Sequence, residues 1–388
     1  MKKLLLLAVW GLIATQSNAG FGESKACQKC HPAIYDEFYT SSHRKSSIHN
    51  DPIHKAVWDK HPLKEKEKYT CAKCHTPADK ALLKNLAEGK PALPEANQAQ
   101  LEEGISCLSC HGIESIQKHD KSNTNIMTDK PKTLFSAREG QENEKDVSFK
   151  TKSSFFGLFV EKSGSPYHKI DYSNKGFYDG SMCMGCHSHK QNAHKFEVCR
   201  TDINSSKESK QNCISCHMPS VKGTMNTVHK TQTHLYHGFT GAADKPEMLA
   251  SHVTIDFKQK SKGFEINIEN KATHLLFLHP LRIAQLQVSI QKEGKTINLD
   301  PLTFKRVIGA DGKATMPWLA DSIVEDTQIQ ANENRTLSFD YALQKGDQVE
   351  AKLGFYLLSK EASKKLGLAS QEELSKFRLL KKESFTAE

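Results

Sequence analysis

Hydrophobic and polar positions divide the chain into three stretches of different rhythm. Lys2 and Lys3 precede an apolar run over residues 4–14, and Thr15-Gln-Ser-Asn-Ala19 follows. A basic start, a short apolar core and small residues before a cut predict a secretory signal peptide, residues 1–19, cleaved after Ala19. The run is shorter than the roughly 20 residues a membrane span needs. Residues 119–152 are rich in Lys, Asp, Asn and Glu and read as an exposed surface loop, with apolar character returning at Phe155-Phe-Gly-Leu-Phe159. Beyond residue 250 the pattern becomes alternation: Val253, Ile255, Phe257; Phe264, Ile266, Ile268; Leu286, Val288, Ile290. Lys262-Gly263, Glu293-Gly294 and Asp311-Gly312 separate or follow these runs, and further runs cover residues 337–343 and 349–358. Period-two runs between turn signals predict antiparallel strands with one buried face, here a β-sandwich over residues 250–360. Ser370 and Glu373 form a capping box ahead of Leu374, Phe377 and Leu380, which predicts a C-terminal helix and tail over residues 361–388. Its basic run, residues 376–382, reads as a solvated face.

Composition sharpens the middle stretch. With 37% hydrophobic residues in 388, the chain is too polar for a polytopic membrane protein, and its core is thin unless something besides side chains supplies apolar surface. Ten of the 11 cysteines fall into five copies of one pattern. The copies are Cys27-Gln-Lys-Cys30-His31, Cys71-Ala-Lys-Cys74-His75, Cys107-Leu-Ser-Cys110-His111, Cys183-Met-Gly-Cys186-His187 and Cys213-Ile-Ser-Cys216-His217. Chance would give roughly 0.015 such matches at these Cys and His frequencies.

The spacing has a chemical reason. Two thiols three residues apart on a helical turn reach the two vinyl groups of one porphyrin and form thioethers, and the adjacent His supplies one axial nitrogen to the iron. Zinc needs four ligands from paired motifs and gives no reason for a His after every second Cys. A thioredoxin-like dithiol would occur once. The pattern therefore predicts five covalent haem c groups, with His31, His75, His111, His187 and His217 as proximal ligands. Porphyrins then form the core of residues 20–245, with short helices and long loops around them. The whole is an α+β protein: a mostly helical and loop pentahaem domain, then the sandwich and the terminal helix. The formal charge of +9 falls by two when Lys2 and Lys3 leave. Five bis-His haems bring it to about +2 oxidised and about −3 reduced, so the basic count implies no nucleic acid.

Several segments resemble a known family. Ala26-Cys-Gln-Lys-Cys-His-Pro-Ala-Ile-Tyr35 followed by Ser42-His43, the stretch from Glu103 through the third motif, Ser165-Pro-Tyr-His168, and the fifth motif with Met218-Pro219 are similar to multihaem cytochromes c related to the tetrahaem electron carrier of ammonia oxidisers. The resemblance covers about residues 25–300, includes His237-Gly-Phe-Thr-Gly241 and Asn270-Lys-Ala-Thr-His274, and extends to a lineage with hydroxylamine oxidoreductases and cytochrome c nitrite reductases. It implies distal iron ligands at His43, His168 and His237, with His54, His234 and His274 as further candidates. His279, like His49, His61, His119, His189, His194, His229 and His252, reads as a surface or hydrogen-bonded histidine. Cys199, the odd cysteine, reads as a buried, inert thiol, with a reactive thiol near a haem face as the alternative.

Two functional classes follow. The first is a periplasmic electron carrier working between redox proteins, such as a quinol-oxidising membrane cytochrome and a terminal reductase, and meeting the membrane only through them. The second is an oxidoreductase acting on a small nitrogen or sulfur compound at one five-coordinate haem, which needs an open iron position. The resemblance favours the carrier, because nitrite reductases of the lineage replace one proximal His by Lys and all five motifs here keep His.

Overall fold

The computed structural model describes residues 23–388 apart from 97–98, 131, 154–159, 202–210, 243, 278 and 280. The signal-peptide reading and the Phe155–Phe159 run lie outside the described residues.

In the first 250 residues helices are brief and begin where the local sequence forces them to. Pro32 and Pro52 open the Pro32–Thr40 and Pro52–Trp58 helices at positions whose N–H would be unpaired anyway. Asp51 caps the second by accepting from the Ile53 and His54 amides at 2.9 and 3.0 Å, and Asp79 caps Lys80–Ala87 through the Leu82 amide at 2.8 Å. Two of the Cys-His motifs carry full capping boxes. Ser106 and Ser109 exchange side-chain and backbone bonds ahead of Cys107–His111, and Asn212 and Ser215 do the same ahead of Cys213–His217. Each box starts a helical turn that sets the two cysteines on one side. The apolar clusters here are small, the largest being Ile48, Trp58, Tyr69, Ala72 and Leu82.

The alternating stretch forms two facing antiparallel sheets. One has the order Val253–Lys260, Gly263–Asn270, Asn334–Phe339; the other has Lys295–Asn298, Ile283–Lys292, Gln348–Tyr356, Arg378–Thr386, with Leu302–Phe304 also paired to Ile283–Lys292. Phe264, Ile266 and Ile268 from the first sheet meet Leu286, Val288, Ile290, Val349, Ala351 and Leu353 from the second in one buried core. The period of two thus separates core from solvent. Gly263 is needed where strands crowd: a Cβ there would meet the Phe339 carbonyl oxygen at 2.3 Å. A third sheet, Lys313–Ala314, Arg306–Ala310 and Ser322–Asp326, leans on the haem-motif region through Val198, Ile308 and Ala320.

Two expectations change. Residues 119–152 are not one loop: they include short strands at Thr124–Met127, Thr133–Phe135 and Lys150–Ser153, the first paired to Ile113–Gln117 and the second parallel to Lys169–Asp171. Beyond Lys360–Leu366 the C-terminal segment keeps only a short 3-10 helix, Glu372–Ser375; Arg378–Thr386 is a strand on the free edge of Gln348–Tyr356. The predicted apolar spacing is real, but Leu380 alone of Leu374, Phe377 and Leu380 enters the sandwich core. The basic run forms ion pairs on the sheet, Lys382 with Glu350 and Lys381 with Glu383. Leu380→Ala should accordingly cost the β-domain about 2–4 kcal/mol in denaturant unfolding, whereas Lys382→Ala should cost under about 1 kcal/mol.

Candidate haem site

The ten motif cysteines are half-buried and form no disulfide. Thiols of different motifs meet: Cys27 with Cys107, Cys74 with Cys186, Cys183 with Cys213. In each pair a hydrogen bond to one sulfur stabilises its thiolate, holding Cys74 and Cys213 down to about 7, while the donor partner is pushed up. Burial raises Cys110 to about 11, and its charge is felt at Cys183 and Cys186. The first motif therefore adjoins the third, the third adjoins the fourth, and the fourth adjoins both the second and the fifth.

Histidine rings oppose the proximal ones at defined spacings. His237 lies 6.3 Å from His111 between ring centroids with planes 18° apart, and His274 lies 6.0 Å from His217 at 12°. His43 lies 5.9 Å from His187 at 88°. A metal–nitrogen distance of about 2 Å on either side of one iron puts imidazole centroids about 6 Å apart, so each pair has room for a single iron. His168 is close enough to His31 for the two to repel as cations. Burial and neighbouring imidazoles lower the basicity of His43 to about 3 and His237 to about 4, keeping both neutral, the form that binds metal.

Carbonyl groups fix the tautomers. Nδ1 of His31, His111 and His217 points at the Met225, Phe135 and Thr240 carbonyls at 3.0, 2.7 and 2.7 Å. Nδ1 of His237, His274 and His168 does so at Leu235, Leu275 and Lys169, at 2.7, 2.8 and 3.2 Å. A proton on Nδ1 leaves the Nε2 lone pair free, the arrangement of a metal-bound histidine. His43 keeps a buried Nδ1 with no partner.

These residues fit covalent haem. His75 and His187 are surrounded by protein, yet their own surfaces are open, so they face internal space of the molecule. Among the described residues no group of three His, Cys, Asp or Glu side chains converges on a point as a zinc site would require.

His75 differs from the other four. His54 lies 4.1 Å from it between centroids, too close for an iron between them, and the Ser46 carbonyl accepts from both rings. His234 faces no proximal histidine; its Nε2 bonds Glu37 Oε1 at 2.9 Å, and Glu37 Oε2 accepts the His237 amide at 2.9 Å, which steadies the loop carrying His237. Sequence reasoning missed His279 and Arg282. His279 is enclosed beside His75 with basicity down to about 3, and Arg282 is enclosed beside His187 and pushed down to about 10, both chiefly by burial. Neither belongs to a spacing pattern, so only the fold brings them to the motifs. Cys199 keeps an open surface, with burial raising its thiol.

The family described as cytochrome c554 and c-prime matches residues 26–112, which carry the first three motifs. No curated protein matches the chain. Among solved structures, a penta-heme cytochrome c552 from Thermochromatium tepidum is similar over 94% of this chain and 98% of that one, with 18% identity and a TM-score of 0.68. A superoxide reductase from Nanoarchaeum equitans covers 38% of this chain and 97% of its own, with 13% identity and a TM-score of 0.19. The matched segment and the nearly full-length likeness in fold together support a multihaem c-type cytochrome.

Proposed function

We propose that the chain is an exported, periplasmic pentahaem c-type cytochrome that carries electrons between redox proteins. The observation that carries this reading is the adjacency of the five motifs, which runs unbroken from the first through the third to the fourth and on to the second and the fifth. Bound haem supplies one-electron iron chemistry. The chain's own residues anchor it through ten cysteines and orient it through His31, His75, His111, His187 and His217. His168, His237, His43 and His274 close the far face of four of the five, opposite His31, His111, His187 and His217 respectively. Main-chain carbonyls hold most of these imidazoles in the binding tautomer, so little rearrangement accompanies a change of iron charge. The count of five rests on the five motifs and is in keeping with the penta-heme description of the Thermochromatium protein. A quinol-oxidising membrane cytochrome and a terminal reductase are the partners that such a carrier serves. The kinship with the tetrahaem carrier of ammonia oxidisers belongs to the same reading.

One observation favours the second reading, an oxidoreductase with an open iron position. His54 does not stand across an iron from His75. Electron paramagnetic resonance of the oxidised holoprotein decides between them. Four or five low-spin ferric signals are expected for the carrier; one added high-spin signal assigns an open position to the second motif, and a mainly high-spin spectrum overturns the carrier reading.

A further inference from the structure

From His75 to the surface runs a continuous file of aromatic and imidazole rings. Between ring centroids, His54 lies 4.1 Å from His75, Tyr69 5.6 Å from His54, Trp58 5.1 Å from Tyr69, His61 5.7 Å from Trp58 and Trp318 4.8 Å from His61. Aromatic rings in contact sit at such spacings. The inner part is sealed, since Tyr69 and Trp58 are both buried. The outer part opens: His61 and Trp318 are half-buried, and Leu319 beside Trp318 is 52% exposed.

Hydrogen bonds fix the outer rings in place. Trp58 ends the Pro52–Trp58 helix, its carbonyl accepts the His61 amide at 2.9 Å, and the Leu63 amide donates to His61 Nδ1 at 3.1 Å. Trp318 comes from the β-domain, and Asn192 holds its loop by donating from Nδ2 to the Pro317 and Ala320 carbonyls at 2.8 and 2.6 Å. Trp58 and Tyr69 belong to the local apolar cluster. His61 and Trp318 carry the file out of that cluster to the surface.

The second motif meets the fourth through Cys74 and Cys186, so a haem there ends a branch of the series, and a branch end serves a carrier where electrons enter or leave. Electrons tunnel more readily through contacting π systems than across gaps or alkyl groups, and a fold contributes to redox chemistry by such placement. We propose that His54, Tyr69, Trp58, His61 and Trp318 form an electron path between a haem on His75 and a one-electron redox protein that touches the surface at Trp318. The inference rests on the carrier reading and on haem attachment at the second motif. One electron moves and no bond forms or breaks: the partner's redox centre loses or gains it as the iron does the reverse. The rings are harder to oxidise than either centre, so they bridge the two without holding charge. Leu319, with the exposed Ile323 and Val324 of the Ser322–Asp326 strand, adds apolar surface near that contact, and redox encounters need little buried area.

The test uses holoprotein whose five attached haems are verified by mass, with Cys199→Ser so that an added cysteine is the only free thiol. A photoactive ruthenium(II) complex is attached at Leu319→Cys, where the partner would sit, or at Lys258→Cys, exposed on the sandwich. A flash sends one electron from the excited complex to a ferric haem, an added amine re-reduces the ruthenium(III), and the rise of ferrous haem is timed optically. With the label at Leu319→Cys, Trp318→Leu and His61→Ala should each slow the rise several-fold, and Trp318→Phe should keep most of the rate. Midpoint potentials, and the rise with the label at Lys258→Cys, should stay as in the parent. That pattern supports the path, since a general loss of packing does not depend on where the electron starts. An equal slowing from both labels, or a rise from Leu319→Cys unchanged by both Trp318→Leu and His61→Ala, overturns it; His61→Ala decides alone should Trp318→Leu fail to mature. No ferrous haem from either label in the parent, with five haems attached, overturns the carrier reading and the path with it.

Discussion

Made without a c-type haem-attachment system, the chain should be protease-sensitive from its start to about residue 245 and yield a resistant fragment containing the sandwich. The motif helices are four or five residues long, far below the length at which a helix persists in water. Among the described residues the largest buried apolar cluster of that region has five members, against eighteen in the sandwich. His75, His187 and the half-buried cysteines line space that side chains do not fill, so the polypeptide has little to fold around until porphyrin is attached. A single cooperative transition, belonging to the sandwich, is expected in thermal or denaturant unfolding of such material. The resistant fragment should retain Arg378–Thr386, because that strand closes the edge of Gln348–Tyr356 and Leu380 belongs to the core. A fully protected apoprotein, or a stable fragment ending near residue 360, would contradict this picture.

The same contrast explains what the sequence shows and hides. Strands such as Gly263–Asn270 announce themselves because one face meets a core and the other meets water, and that asymmetry is written into every second residue. The Cys-His motifs are equally plain, since their chemistry is local to five residues. The last strand is hidden: Ser370, Glu373 and the three-residue spacing of Leu374, Phe377 and Leu380 satisfy helical rules, and only the exposed edge of a strand twenty residues earlier decides otherwise. Histidines are hidden for a different reason. His234 and His237 are three residues apart, yet one bonds Glu37 and the other faces His111. Which nitrogen points at internal space depends on a carbonyl or an amide placed by the fold, and His279, read as an ordinary histidine, is fixed as a donor by the Leu281 amide.

His237→Ala should leave all five haems attached and open the far face of one. The cysteines that form the thioethers and the proximal His111 are untouched, and His111 remains held by the Phe135 carbonyl. Opposite it, alanine leaves a gap of one imidazole beside Phe239, while the Glu37 carboxylate still accepts the backbone amide at that position and keeps the loop braced. Loss of a nitrogen donor disfavours ferric iron, so that haem's potential should rise and its ferric signal should change from low to high spin. Cyanide or nitric oxide should then bind where the parent does not bind it. The identity of the lost signal is a stricter check. His111 and His237 are nearly parallel, whereas His43 and His187 are perpendicular, and parallel and perpendicular imidazole planes split the iron orbitals differently. His237→Ala should remove a rhombic low-spin signal and His43→Ala a strongly anisotropic one. His49→Ala, at a ring whose Nε2 bonds the Pro94 carbonyl at 2.9 Å, should remove neither. If His237→Ala leaves the spectrum and the redox titration as they were, the centroid spacing of 6.3 Å holds no iron, and the pairing drawn for the other three distal histidines loses its ground as well.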